Sequence, residues 1–174
     1  MVTRRQFIKV GIAGAALLAA ARYLDRPLTA PADSYRVLDE KSARIVRALV
    51  PVVLAGSLGG DDAARARNAG DVVAAFDRAV SGLAPAVQEE LAQLFSLLSF
   101  PPSRVAFAGL WTPVDEAAPE DLKAFLMRWR HSRFDLQRQS YEALTHLIQA
   151  SWYGNAASWN AIGYSGPPAL ENVK

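Results

Sequence analysis

A chain of 174 residues with 51% hydrophobic and 21% charged residues has the composition of a globular protein with one buried core, not of a disordered or fibrous one. It has no cysteine, which excludes disulfides, thiolate metal sites, thioether haem attachment and cysteine nucleophiles together. The formal net charge is +2; taking away Arg4, Arg5 and Lys9, which no early acid offsets, leaves −1 for the remainder, so the charge balance gives no sign of nucleic-acid binding.

The N-terminal run Thr3-Arg4-Arg5-Gln6-Phe7-Ile8-Lys9 has the order of a twin-arginine export signal: a polar residue, two arginines, any residue, an apolar pair and a lysine. Arg4, Arg5, Phe7 and Lys9 are its signal residues. Val10 to Ala21 continue as a moderately apolar run of Ala, Gly and Leu, so residues 1–21 read as a helical signal segment. Phe7 to Ala21 covers 15 residues with Lys9 inside it, and a bilayer span needs about 20. A cleaved leader therefore fits better than a permanent anchor. Ala19 and Ala21 offer a cleavage site, although Arg22 follows directly. An uncleaved leader would instead make the protein a membrane-tethered scaffold. Either way the expected location is the periplasm, reached through the Tat translocase, with membrane contact through the leader only. That route carries folded cargo.

Residues 22–34 hold Pro27 and Pro31 and read as a linker, and 35–174 as one helical domain. Leu38, Ile45, Leu49 and Val52 recur at helical spacing over 35–54, with Pro51 predicted to end or kink the helix near Val50. The glycines of 55–60 mark a loop. Val72, Phe76 and Val80 predict a short helix over 71–80, closed by Gly82. Pro85 suits a first helical turn, and Val87, Leu91, Leu94, Phe95 and Leu98 form an apolar face that Pro101-Pro102 stops. The state of 104–111 stays open, and 112–118 is a loop. Pro119, Glu120 and Asp121 open a helix lined by Leu122, Phe125, Leu126 and Trp129. Ser132 and Asp135 resemble a shortened capping box for the last long helix. Phe134, Tyr141, Leu144, Ile148 and Trp152 line its predicted buried face, and Gly154-Asn155 ends it. The tail from Ala156 to Lys174, with its aromatic, Gly and Pro residues, is expected to be irregular. No strand alternation and no repeat is present. The expected fold is an all-α domain of about five helices.

Catalytic groups are sparse. His131 and His146 lie 15 apart, off the i, i+3 or i, i+4 spacing of a helical metal pair. No nucleophile elbow, dinucleotide fingerprint or phosphate loop occurs. Arg128, Arg130, Arg133 and Arg138 cluster around Trp129, which suits a partner contact or a solvated face with arginine stems over apolar neighbours. The run from Trp152-Tyr153 to Trp159 and Tyr164 concentrates aromatics that could wrap their own helices or dock on another protein.

The segment Phe125-Leu126-Met127-Arg128-Trp129-Arg130-His131-Ser132-Arg133, the helix to Trp152-Tyr153-Gly154, and Trp159-Asn160-Ala161-Ile162-Gly163-Tyr164-Ser165-Gly166-Pro167 resemble the gluconate 2-dehydrogenase subunit 3 family. The resemblance covers the C-terminal third. Ser165 departs from it, standing where the family often has proline. It implies a small subunit without catalytic residues, metal or cofactor of its own. Its partner would be a large FAD-carrying dehydrogenase of the glucose–methanol–choline class, often joined by a cytochrome c subunit. The small subunit's signal would then escort the large one. The expected partner contacts are Arg128, Trp129, Arg133, Trp152, Tyr153, Trp159, Gly163, Tyr164 and Pro167. The alternative is a stand-alone periplasmic enzyme or ligand-binding protein, for which His131, His146 and Asp135 are the candidate polar groups.

Overall fold

The computed structural model describes residues 34–159 and 163–165. The export-signal residues Arg4, Arg5, Phe7 and Lys9, most of the linker, and Pro167 lie outside the described residues. Seven α-helices and one π-helical segment occur among those described, and no strand does: α1 Glu40–Val53, α2 Asp62–Ser81, α3 Pro85–Ser99, α4 Pro101–Ser103, the π segment Arg104–Ala108, α5 Pro119–Arg130, α6 Asp135–Tyr153 and α7 Ala156–Trp159. The all-α domain expected from the sequence is the one observed.

Local chemistry accounts for the boundaries. The Asp39 carboxylate accepts the Ser42 N–H at 2.7 Å and opens α1, and Asp61 does the same for Ala64 at the start of α2. Pro51 does not end α1 at Val50; the helix continues to Val53. Proline forfeits only the bond to the Arg47 carbonyl, and both residues face water, which can meet that oxygen. The α2 helix begins at Asp62, nine residues before the predicted start. Its first half is held by propensity, through Ala63, Ala64, Ala66 and Ala69, and by the Asp61 cap, so apolar periodicity is silent there. Phe100 is extended ahead of Pro101, which stops α3, but the two prolines then start the single turn of α4. The segment left open by the sequence, 104–111, is the π segment followed by Gly109 at φ 66°. The tail is not wholly irregular, since α7 forms within it.

The central helix is α1, which packs on α2, α3, α5 and α6. Its Val46, Leu49 and Val50 are fully buried with Val72, Val73 and Phe76 of α2, Leu98 of α3, Phe125 of α5, and Leu144 and Ile148 of α6. Phe76 meets Phe95 edge-on at 6.3 Å between centroids, and Phe125 meets Trp129 at 4.5 Å. Each such side chain contributes about 1.5–3 kcal/mol of burial free energy, so the core rests on many comparable contacts.

One polar interaction ties the start of the domain to this core. Asp77 on α2 is only 3% exposed. Its carboxylate accepts the backbone N–H groups of Arg36 at 2.8 Å and of Val37 and Leu38 at 3.0 Å each. Those residues precede α1 and have no helical acceptors, so one buried anion serves three donors. Truncating it strands all three. Asp77→Ala is expected to lose about 3 kcal/mol of unfolding free energy in urea titration, whereas Asp71→Ala, exposed on the same helix, should stay within about 0.5 kcal/mol.

Candidate partner-binding surface

Among the described residues, the stretch from the π segment to Trp111 departs from regular helix. A glycine at φ 66° turns the chain out of the helix, so the carbonyls from Phe107 to Trp111 lack the N–H groups a continuing helix would offer. Side chains meet all five. Phe107 O accepts the Trp129 indole N–H at 3.0 Å and the Gln137 amide at 2.7 Å. Arg128 Nη2 donates to Ala108 O at 2.9 Å and to Gly109 O at 3.4 Å. Arg104 donates from Nε to Leu110 O at 3.3 Å and from Nη2 to Trp111 O at 3.1 Å, while its Nη1 reaches Ser99 O at 3.3 Å. The Arg104 side chain is buried, and its charge faces carbonyl dipoles rather than a carboxylate among the described residues. A side chain at 109 would also crowd the Arg128 guanidinium. A Cβ there would sit 3.2 Å from Arg128 Nη2.

This backbone presents Trp111, which is 83% exposed. The α5–α6 corner presents Phe134, 55% exposed, and Leu136, 59% exposed. The Arg133 guanidinium lies 4.8 Å from the Phe134 ring centroid. Ser132 does not cap α6 as the sequence suggested. Phe134 is the N-cap residue and makes no side-chain cap bond. The Ser132 hydroxyl instead accepts the Phe134 N–H at 3.0 Å and donates to Gln137 Oε1 at 2.5 Å, which aims the Gln137 amide at Phe107 O. Arg138 pairs with Asp135 and donates to Ser132 O at 2.5 Å. Phe134 is thereby an exposed corner residue, not part of the buried face predicted for α6.

The residues picked from the sequence as partner contacts fall into two groups. Trp129 and Trp152 are 1% and 2% exposed and belong to the core, so neither offers surface in this conformation. Arg128, Arg133, Tyr153 and Tyr164 are exposed, and Trp159 is half-buried. At the C-terminus, Trp159 Nε1 donates to Tyr153 O at 3.1 Å, Tyr164 N–H reaches Trp159 O at 3.0 Å, and the two rings meet edge-on at 5.3 Å. Gly163, at φ 69°, takes the left-handed conformation just before Tyr164. That local geometry explains the Trp, Gly and Tyr spacing. The sequence reading missed Trp111 and Leu136. The signal for Trp111 was a tryptophan between Gly109 and Pro113, where no regular helix could bury it.

His131 and His146 are both exposed on separate helix positions, and Asp135 is engaged by Arg138. Among the described residues no three His, Cys, Asp or Glu side chains are grouped to hold a metal, and no helix is long and apolar enough to cross a membrane. Two concavities are notable. A groove of about 330 Å³ between α1, α5 and α6 is lined by Val52, Val53, Leu126, Met127 and Tyr141. A cavity of about 290 Å³ is lined by Lys41, Arg44, Arg104, Asp115 and Glu116, with Arg44 and Asp115 paired at 3.4 Å. No family model, curated protein or solved structure matches the chain.

The pinned loop makes two measurable demands on stability. Arg104→Met keeps the buried stem but strands the Ser99, Leu110 and Trp111 carbonyls, and should cost about 2–3 kcal/mol in chemical denaturation. Gly109→Ala combines a left-handed alanine with displacement of Arg128, and should cost about 1–2 kcal/mol. A wild-type midpoint in both variants would mean that the loop is not held by these bonds.

Proposed function

We propose that this chain is a non-catalytic small subunit that binds a flavin-dependent dehydrogenase of the glucose–methanol–choline class, stabilises it, and escorts it through twin-arginine export to the periplasm. FAD would reside on the large subunit, and a cytochrome c is the natural third component. Three lines of support are independent of one another. The leader has the order of a folded-cargo signal. The C-terminal third resembles the gluconate 2-dehydrogenase subunit 3 family. The observation that carries the reading is Trp111, a fully presented aromatic on a backbone whose carbonyls are all tied down. Exposing a large apolar side chain brings no folding benefit, while rigid display lowers the entropy lost on docking. Aromatic anchors of this kind are the usual centres of protein interfaces.

In the escort reading the two arginines serve both proteins. Replacing them conservatively, Arg4→Lys with Arg5→Lys, should leave the flavoprotein folded but in the cytoplasm, and periplasmic dehydrogenase activity should fall by at least about tenfold. Normal export of the flavoprotein in a strain lacking this chain would overturn the reading. Cell fractionation with a flavin and activity assay checks both.

A further inference from the structure

Trp111 and the α5–α6 corner sit close enough to act together. Gln137, in the first turn of α6, holds the Phe107 carbonyl at 2.7 Å. Trp111 is four residues further on, so its Cα lies within about 14 Å of that point. Phe134, the N-cap residue, and Leu136 lie three residues and one residue before Gln137. An ordinary interface, which covers about 800 Å² on each partner, is wide enough to reach across that separation. Arg128 lies against the loop and Arg133 over Phe134, both exposed and with no carboxylate paired to them among the described residues. The one acid at the corner, Asp135, is taken by Arg138. Positive charge is thereby brought to both parts of this surface, to the loop that carries Trp111 and to the Phe134 corner.

We propose that Trp111, Phe134 and Leu136, with Arg128 and Arg133, form the docking surface of this chain, and that its occupant is a protein face with an apolar pocket ringed by carboxylates. The proposal rests on the accessory-subunit reading and specifies where the large subunit is gripped. Guanidinium groups match carboxylates in a planar, two-bond geometry, and their charge complements an acidic rim. A fluid lipid headgroup layer would gain little from a loop held by six side-chain bonds, whereas a shaped protein pocket gains from that rigidity. The surface is also separate from the Trp159–Tyr164 motif, whose aromatics spend much of their area on each other.

The test uses the full chain, affinity-tagged and produced in its own host, with Trp111→Ala, Arg133→Glu and the control Val87→Ala, which truncates an exposed residue on α3. Retained flavoprotein is measured by flavin absorbance, and its affinity is then titrated at low and high salt. Trp111→Ala and Arg133→Glu should each weaken binding by about tenfold or more, Arg133→Glu should flatten the salt dependence, and Val87→Ala should change binding by less than about twofold. Melting temperatures of the isolated variants should match wild type, because both side chains are exposed. Wild-type affinity in the two variants would overturn the surface while leaving the accessory reading intact. If the wild-type chain retains no flavoprotein, the accessory reading falls, and photocrosslinking from benzoylphenylalanine at position 111 judges the surface alone. An adduct with an acidic, apolar-lined face of another protein supports it. An adduct with a second copy of this chain, or binding to phosphatidylglycerol vesicles with no protein adduct, overturns it.

Discussion

Five consecutive backbone carbonyls, Phe107 to Trp111, have no partner in any helix, and the way they are satisfied organises one side of the molecule. An unpaired buried carbonyl costs on the order of a hydrogen bond's full desolvation, so the buried members of this run, those of Ala108 and Leu110 above all, need donors. The donors come from three places: Arg104 within the π segment, Arg128 and Trp129 on α5, and Gln137 on α6. The loop is thereby fastened to two helices that follow it in sequence, and those helices are fastened to each other through it. Trp129 contributes twice, burying its ring against Phe125 and Phe107 while its N–H serves the loop.

That constraint changes the meaning of the arginine and tryptophan cluster. Read along the chain, Arg128, Trp129 and Arg133 look like one exposed patch. In three dimensions they divide. Trp129 turns inward, Arg128 lies across Gly109 and holds the loop, and Arg133 remains outside over Phe134. The residue that takes the exposed aromatic role is Trp111, and it can do so because its own carbonyl and that of Leu110 are held by the buried Arg104. An interior cation and an exterior aromatic are thus two ends of one arrangement.

Ahead of α1, Asp77 plays a matching part. The chain arriving from the linker is gathered at Arg36 to Leu38 onto α2, the helix that also packs against α6. Folding of the core and attachment of the segment next to the leader therefore depend on the same helix.

The apolar spacing of the chain by itself determined most helices: Leu122 to Trp129 and Tyr141 to Trp152 are buried stripes because a 3.6-residue period leaves them no other common face. It also determined the all-α class, since nothing alternates with the period of a strand. It did not determine where α2 begins, because Ala and an Asp cap carry no periodic signal, or that α1 would pass through Pro51, which depends on which face the lost bond points to. Nor could it assign Trp129 and Trp111. Both are tryptophans beside arginines or glycines, and adjacency in sequence says nothing about which ring finds a cavity. Tertiary structure decided that, through five carbonyls that needed donors and a core with room for one indole next to Phe125.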